Sequence, residues 1–245
     1  INERISVMQW KIGIICAVDR EVKPFLTHIE NCIVSEKAML KIYEGTIEGV
    51  SVVALFSGVC KVNAAIAAQI LIDTYHVNAI INAGTAGGID SKVNVFDTVI
   101  STQVAYHDVS DNILKEFHPH MPSIYFDADS LLLDLARKSI QNKKSDYAVY
   151  FGKMVTGDKF IDDINLINSI SAKYAALSAD METASIAHVC YVNRIPFIAI
   201  RTITDTATHS GFENFEKNCD MASNISKDFV LGLLKEIKTY FSLVK

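Results

Sequence analysis

Three short segments, far apart along the chain, carry carboxylates in positions where chemistry could follow: Ala17-Val18-Asp19-Arg20-Glu21-Val22, Ala179-Asp180-Met181-Glu182-Thr183-Ala184 and Arg201-Thr202-Ile203-Thr204-Asp205. Glu21 and Asp205 each lie just past an apolar, strand-like run, and Glu182 lies at the start of a helical one. An open α/β sheet forms its ligand crevice at such edges. Carboxylates converging on one pocket there suit cleavage of a bond at a sugar carbon. One acid protonates the leaving group, another activates the attacking water, and a third holds the sugar hydroxyls. Each also has an ordinary explanation. Glu21 suits the first turn of a helix, Asp205 suits an N-cap or turn, and Asp180 suits the cap of the helix that carries Glu182.

Other chemistry-bearing segments are less specific. Asn82-Ala83-Gly84-Thr85-Ala86-Gly87-Gly88 follows a strand, as phosphate loops do. Its glycine spacing matches no dinucleotide fingerprint, and no Lys-Ser/Thr follows as in a P-loop. It reads as a tight turn or a close backbone approach to a ligand. His107, His118 and His120 have no metal-ligand spacing, so no metal is expected. Ser57-Gly58-Val59-Cys60-Lys61 lacks the Gly-x-Ser-x-Gly order of a nucleophile elbow, and Cys60 reads as a structural thiol.

The elements that must position these residues alternate from end to end. Residues 12–17 form a continuous apolar run, as in a strand buried on both faces. A short helix follows from Arg20, with Pro24 expected in its first turn. Residues 40–43 and 51–56 flank Glu48-Gly49 as a hairpin. A helix is predicted at 62–75, and a strand at 79–83 that ends in the 84–88 turn. Strands are predicted at 97–102, 104–106, 147–155 and 197–202. Helices are predicted at 129–141, 181–192 and 214–241, the last with Ile225, Phe229, Leu233, Ile237 and Phe241 in one stripe. Residues 117–122 read as a loop. No repeat or linker divides the chain, which predicts one α/β domain at 11–245, a three-layer αβα sandwich around a mixed twisted sheet, after an N-terminal extension at 1–10.

Composition narrows the function classes. The chain has 245 residues, half of them apolar, and a net charge of −5. Its basic residues are scattered, which argues against nucleic acid as a partner. No run is long and apolar enough to span a membrane. The five cysteines are unpaired in spacing and read as reduced thiols, which points to the cytoplasm. The first residue is Ile rather than Met, so an exported or surface form with a cleaved leader stays open.

Taken together, these segments resemble the 5′-methylthioadenosine/S-adenosylhomocysteine nucleosidases of the nucleoside phosphorylase superfamily. The similarity runs from Lys11-Ile12-Gly13-Ile14-Ile15 with Glu21, through Ser57-Gly58-Val59 and Lys61-Val62, to Asn82 through Gly88. It continues in Tyr106-His107-Asp108, Thr156-Gly157-Asp158 with Phe160-Ile161, Met181-Glu182-Thr183-Ala184 with Ala187-His188-Val189-Cys190, and Arg201 to Asp205. The resemblance implies hydrolysis of the N-glycosidic bond between adenine and a 5′-thioribose, with 5′-deoxyadenosine a further candidate substrate. It implies Asp205 as the general acid at the purine N7 and Glu21 as the group that activates water. Glu182 would bind the ribose hydroxyls and Met181 would pack beneath the ribose. Phe160 would stack on adenine and the backbone of Ile161 would read its edge. Val59 and Phe212 would line the alkylthio end, while Thr85, Arg201 and Thr204 would hold the water and the acids. No cofactor is implied, and a homodimer is.

The chain departs from that pattern at several points. Cys60 stands where the family usually has glycine, Thr85 and Thr204 stand for serines, and Val18 stands for a methionine. After Val109 the pattern is lost, in a loop that normally helps form the 5′ pocket of the neighbouring subunit. Two other readings stay open: a phosphorylase using phosphate as nucleophile, and a surface binding protein on the same fold. The acidic balance and Glu21 itself count against phosphate.

Overall fold

The computed structural model of the chain describes residues 10–141, 146–206 and 212–243. Its first strand, β1 (Lys11–Cys16), shows why the apolar run is continuous. Ile12, Ile14 and Cys16 enter one core, and Ile15 enters the core on the opposite face. β1 lies between β4 (Val50–Phe56) and β5 (Ala79–Gly88), parallel to both. Antiparallel strands β3 (Leu40–Ile47) and β2 (Glu30–Lys37) extend the sheet to its edge, where every residue of β2 is exposed.

The other half of the sheet curls. β10 (Phe197–Thr206) pairs with β5 and also with β6 (Thr98–Tyr106), which in turn pairs with β8 (Val149–Thr156). β9 (Ala176–Asp180) pairs with β8 and, by its last residues, with β5. These five strands therefore close a ring, with two-residue β7 (Phe126–Asp127) appended to β6. β5 and β9 overlap only through Gly87 with Ala179 and Gly88 with Ser178, so their carboxyl ends run into each other. The site forms around that meeting point.

Helices cover both faces. On one side lie α1 (Asp19–Leu26), α4 (Ser130–Ile140) and α7 (Phe212–Leu243), packed through Val22, Phe25, Leu132, Leu135, Phe229 and Leu233. On the other lie α2 (Lys61–Asp73) and α6 (Thr183–Asn193), whose alanines allow close approach. The architecture is thus a mixed α/β sheet flanked by helices. α5 (Ile164–Tyr174) seals the ring against β9, and α3 (Ile113–Glu116) is a single turn. Of the expected N-terminal extension only Trp10 is described; its ring meets Phe241 of α7 at 4.9 Å between centroids. Among the described residues, no helix is long and apolar enough to cross a membrane.

Several elements differ from expectation. Residues 84–88 are not a turn but the end of β5, and β10 runs four residues past the expected stop at Thr202. The strands expected at 97–102 and 104–106 are one strand with an irregularity between Ser101 and Gln103. Pro24 falls inside α1 rather than in its first turn, so this eight-residue helix forgoes the bond that an amide at position 24 would make to the Arg20 carbonyl. β2, β9 and α5 were not expected. β2 is polar and exposed, while β9 (Ala-Leu-Ser-Ala-Asp) has no β-branched residue to mark it.

Candidate active site

Glu21 is the third residue of α1, and helix geometry turns its side chain back over the helix start. Its Oε2 accepts the amides of Ala17 at 2.7 Å and Val18 at 3.2 Å, the reach typical of an acid at this position. Its Oε1 accepts both the amide and the hydroxyl of Thr85, each at 2.7 Å. The helix-start explanation therefore holds for a carboxylate that also lines the site cavity. Glu21 is only 2% exposed. It lies against Gly84, whose φ of +139° and lack of a side chain are both required there, because a Cβ would meet the carboxylate at 2.6 Å. Ser226 of α7 fixes this stretch, accepting the Gly84 amide at 3.0 Å and donating to the Ile200 carbonyl at 2.8 Å.

Asp205 belongs to β10 rather than capping a helix. It is buried beside Gly87, where a Cβ would stand 3.1 Å from Oδ2. Its Oδ1 accepts the Thr204 hydroxyl at 2.7 Å. Burial pushes the Asp205 carboxyl above the ordinary carboxylate range, and the Thr204 hydrogen bond pulls the other way. Gly84 and Gly87 are three residues apart on β5, so the two acids approach it at points on the order of 10 Å apart.

Glu182 precedes the first turn of α6 and is almost fully buried. Its Oε2 accepts Arg201 Nη2 at 2.8 Å, and its Oε1 accepts the Cys60 amide at 3.1 Å. Burial raises its carboxyl, with the guanidinium acting against that rise. Arg201 is itself 1% exposed. Burial works against its charge, but Asp180, Glu21 and Glu182 outweigh this and keep it charged. Its Nε and Nη1 have no hydrogen-bond partner among the described residues.

A cavity of about 640 Å³ opens where these elements meet. Glu21, Asp205, Glu182, Met181, Phe160, Ile161, Val59, Thr85, Thr204 and Arg201 all line it. The side chain of Phe212 lies outside the described residues. Phe160 is 40% exposed and Val59 39%, so the apolar rim remains open to solvent.

Sequence reasoning passed over several partners of these acids and part of the cavity lining. Asp180 is a hub rather than a simple cap: Oδ1 accepts the amides of Glu182 and Thr183 and the Thr156 hydroxyl, and Oδ2 lies 3.7 Å from Arg201 Nε. The Cys60 amide that meets Glu182 belongs to a residue at φ +81° and ψ 163°, a region suited to glycine. The positive φ at the position where the family usually has glycine could have flagged it. Phe215 and Glu216 of α7 line the cavity, as do Ile89 and Ile167. Nothing in a helical or strand pattern marks those four.

A model of the phosphorylase superfamily matches residues 11–235. A 5′-methylthioadenosine/S-adenosylhomocysteine nucleosidase of Halalkalibacterium halodurans is 37% identical over 233 residues, covering 91% of this chain and 97% of the relative. The chain belongs to the 5′-methylthioadenosine/S-adenosylhomocysteine nucleosidase family of the phosphorylase superfamily. Solved members of this nucleosidase family have the same fold. The nucleosidase of Colwellia psychrerythraea, solved in complex with adenine, matches with a TM-score of 0.85 at 30% identity, covering 94% of this chain and 96% of that one. That of Neisseria meningitidis, in complex with methylthio-immucillin-A, matches with a TM-score of 0.84 at 28% identity, covering 92% and 98%.

Proposed function

We propose that this nucleosidase-family chain hydrolyses the N-glycosidic bond of 5′-methylthioadenosine and S-adenosylhomocysteine, releasing adenine, with Asp205 as general acid and Glu21 as the group that activates water. The observation that carries the reading is the convergence of Glu21, Glu182 and Asp205 on one cavity, with Glu21 and Asp205 approaching from separate points along β5. A sugar ring and an attacking water would sit between the two acids in this reading. Adenine anion is a poor leaving group, so a proton delivered to N7 lowers the barrier as the bond stretches. Burial pushes the Asp205 carboxyl up, the direction that role requires.

Glu21 is held by four donors, and the Thr85 hydroxyl is one of them. A carboxylate so fixed presents one direction to an incoming water. Glu182, aimed by Arg201 and the Cys60 amide, accepts the ribose hydroxyls, and Met181 packs beneath the ring. Phe160 stacks on adenine, and the backbone of Ile161 reads its edge. Val59 and Phe212 receive the alkylthio group, and Thr204 orients Asp205. Positive charge growing on the sugar ring is stabilised by the surrounding carboxylates.

The same charges disfavour phosphate as the nucleophile. Arg201 is committed to Glu182 and Asp180, and Arg20 is committed to Glu216 and Asp220. The chain pairs as a homodimer in this reading. The exposed apolar side chains Val62 and Ile66 on α2 and Tyr191 and Val192 on α6 support that, and sedimentation as a single chain at micromolar concentration would refute it.

The deciding experiment is adenine release from 5′-methylthioadenosine, with and without phosphate, by wild type and Asp205→Asn. The expected result is phosphate-independent release that falls in the variant by about 10² or more. Release that requires phosphate moves the chain to the phosphorylases, and no release leaves a binding role on the same fold.

A further inference from the structure

The turn from β4 into α2, residues 57–61, touches the site twice and is tied to it by charges outside the cavity. Val59 lines the cavity, and the Cys60 amide holds Glu182 Oε1 at 3.1 Å. The next residue, Lys61, faces away from the cavity and joins two loops at the rim of the ring. Its amide donates to Asp158 Oδ1 at 2.9 Å. Its ammonium donates to both Asp108 oxygens, at 2.9 and 2.8 Å, and lies 3.5 Å from Asp158 Oδ2. The Asp158 amide closes the circuit on Asp108 Oδ2 at 2.9 Å. Asp158 stands two residues before Phe160, and Asp108 two residues after the end of β6.

We infer that Lys61, Asp108 and Asp158 form a clamp that sets the loop bearing Phe160 and Ile161 at a fixed distance from Glu182. The three are positioning residues, since none lines the cavity. The inference rests on the nucleosidase reading, in which Phe160 meets the base and Glu182 meets the ribose. A nucleoside that must touch both gains its affinity only if the two are registered, and a shift of about 1 Å at either end is costly. Isolated exposed ion pairs contribute little. This circuit is more than one pair: the Lys61 side chain is 21% exposed, Asp108 31% and Asp158 44%, the ammonium reaches both carboxylates, and two main-chain amides donate to the same carboxylates. The circuit also has one cation for two acids, so neutralising Lys61 leaves Asp108 and Asp158 to repel each other and drive the loop from α2.

The test measures kcat and KM for 5′-methylthioadenosine, and the inhibition constant of free adenine, in Lys61→Met, Asp158→Ala and Lys61→Arg. KM and the adenine constant are expected to rise about tenfold in the first two, with kcat reduced less than KM is raised. Lys61→Arg, which keeps the charge, is expected to recover most of the affinity. Unchanged KM and adenine constants in both Lys61→Met and Asp158→Ala overturn the clamp, even if their melting temperatures fall. If Lys61→Met does not fold, Asp158→Ala decides alone, because it leaves the Lys61–Asp108 pair in place and frees only the loop that carries Phe160. A wild type that releases no adenine refutes the nucleosidase reading instead, and adenine affinity measured by calorimetry then judges the clamp separately.

Discussion

Glu21 and Asp205 face one cavity from either end of the same short stretch of β5, yet the protein holds them in opposite ways. Glu21 takes four hydrogen bonds, three of them from main-chain amides, and its surroundings are shaped around it down to the missing side chain at Gly84. Asp205, among the described residues, takes one bond, from the neighbouring Thr204. In the proposed reading the water side of the site is built into the fold, while on the purine side the described residues give the buried acid a single donor. A base that must aim at one point needs its direction fixed by the scaffold. An acid that must hold a proton needs few donors, because each donor would favour its charged form.

The sharpest way to break this contrast is to swap each acid for its amide. Glu21→Gln and Asp205→Asn are both expected to lower kcat for 5′-methylthioadenosine by about 10²–10⁴. They should differ in stability. The Glu21→Gln carboxamide offers N–H where two donors point, stranding buried groups at about 1–3 kcal/mol each, and its melting temperature should fall by roughly 2–4 °C per kcal/mol. Asp205→Asn keeps an oxygen for the Thr204 hydroxyl and should melt at or above wild type. Equal losses of stability in calorimetric melts would remove the distinction.

A smaller effect separates the two glycines. Gly84→Ala combines a backbone at φ +139° with a 2.6 Å approach to the Glu21 carboxyl, and is expected to cost about 1–3 kcal/mol together with activity. Gly87→Ala faces Asp205 Oδ2 at 3.1 Å on ordinary strand backbone, a contact that the carboxylate relieves by moving a few tenths of an ångström. Its expected cost is below about 1 kcal/mol. Denaturant midpoints of the two variants rank them, and the reverse order would show that Asp205 is the more rigidly held.

The smallest effect is in pH dependence. Burial raises the folded pKa of Asp205 above its unfolded value, so the native chain binds the extra proton and stability is greatest below the unfolded value. That contribution is lost as pH rises through the folded pKa, with a slope of at most about 1.4 kcal/mol per pH unit. Glu182 is shifted in the same direction, so Asp205→Asn should flatten the slope without abolishing it. The basic limb of kcat against pH for 5′-methylthioadenosine belongs to Asp205 in this reading. An unchanged limb in the residual activity of Asp205→Asn would assign it elsewhere.

What could be read from the sequence follows from where polarity and burial agree. β1 and the stripe of α7 were legible because apolar residues recur with the period of the element. The end of β10 beyond Thr202 was not, since Thr204 and Asp205 look like a turn. The polar residues of β10 are buried because partners on other elements satisfy them: Thr98 of β6 for Thr202, and Glu182 at the start of α6 for Arg201. The glycines of 84–88 misled for a related reason. Glycine usually ends a strand, but here it lets two carboxylates lie against one. The acids themselves were recognisable by type and neighbourhood. Their partners were not, because the Cys60 and Ala17 amides carry no residue identity.

The helix α7 gives the chain an unequal pair of ends. Its first turn borders the cavity through Phe215 and Glu216, and its last turns meet Trp10 about 39 Å further along the axis. The chain has a single tryptophan. Intrinsic indole emission therefore reports whether the far end of that helix is docked on the N-terminal strand, and is remote from anything bound in the cavity.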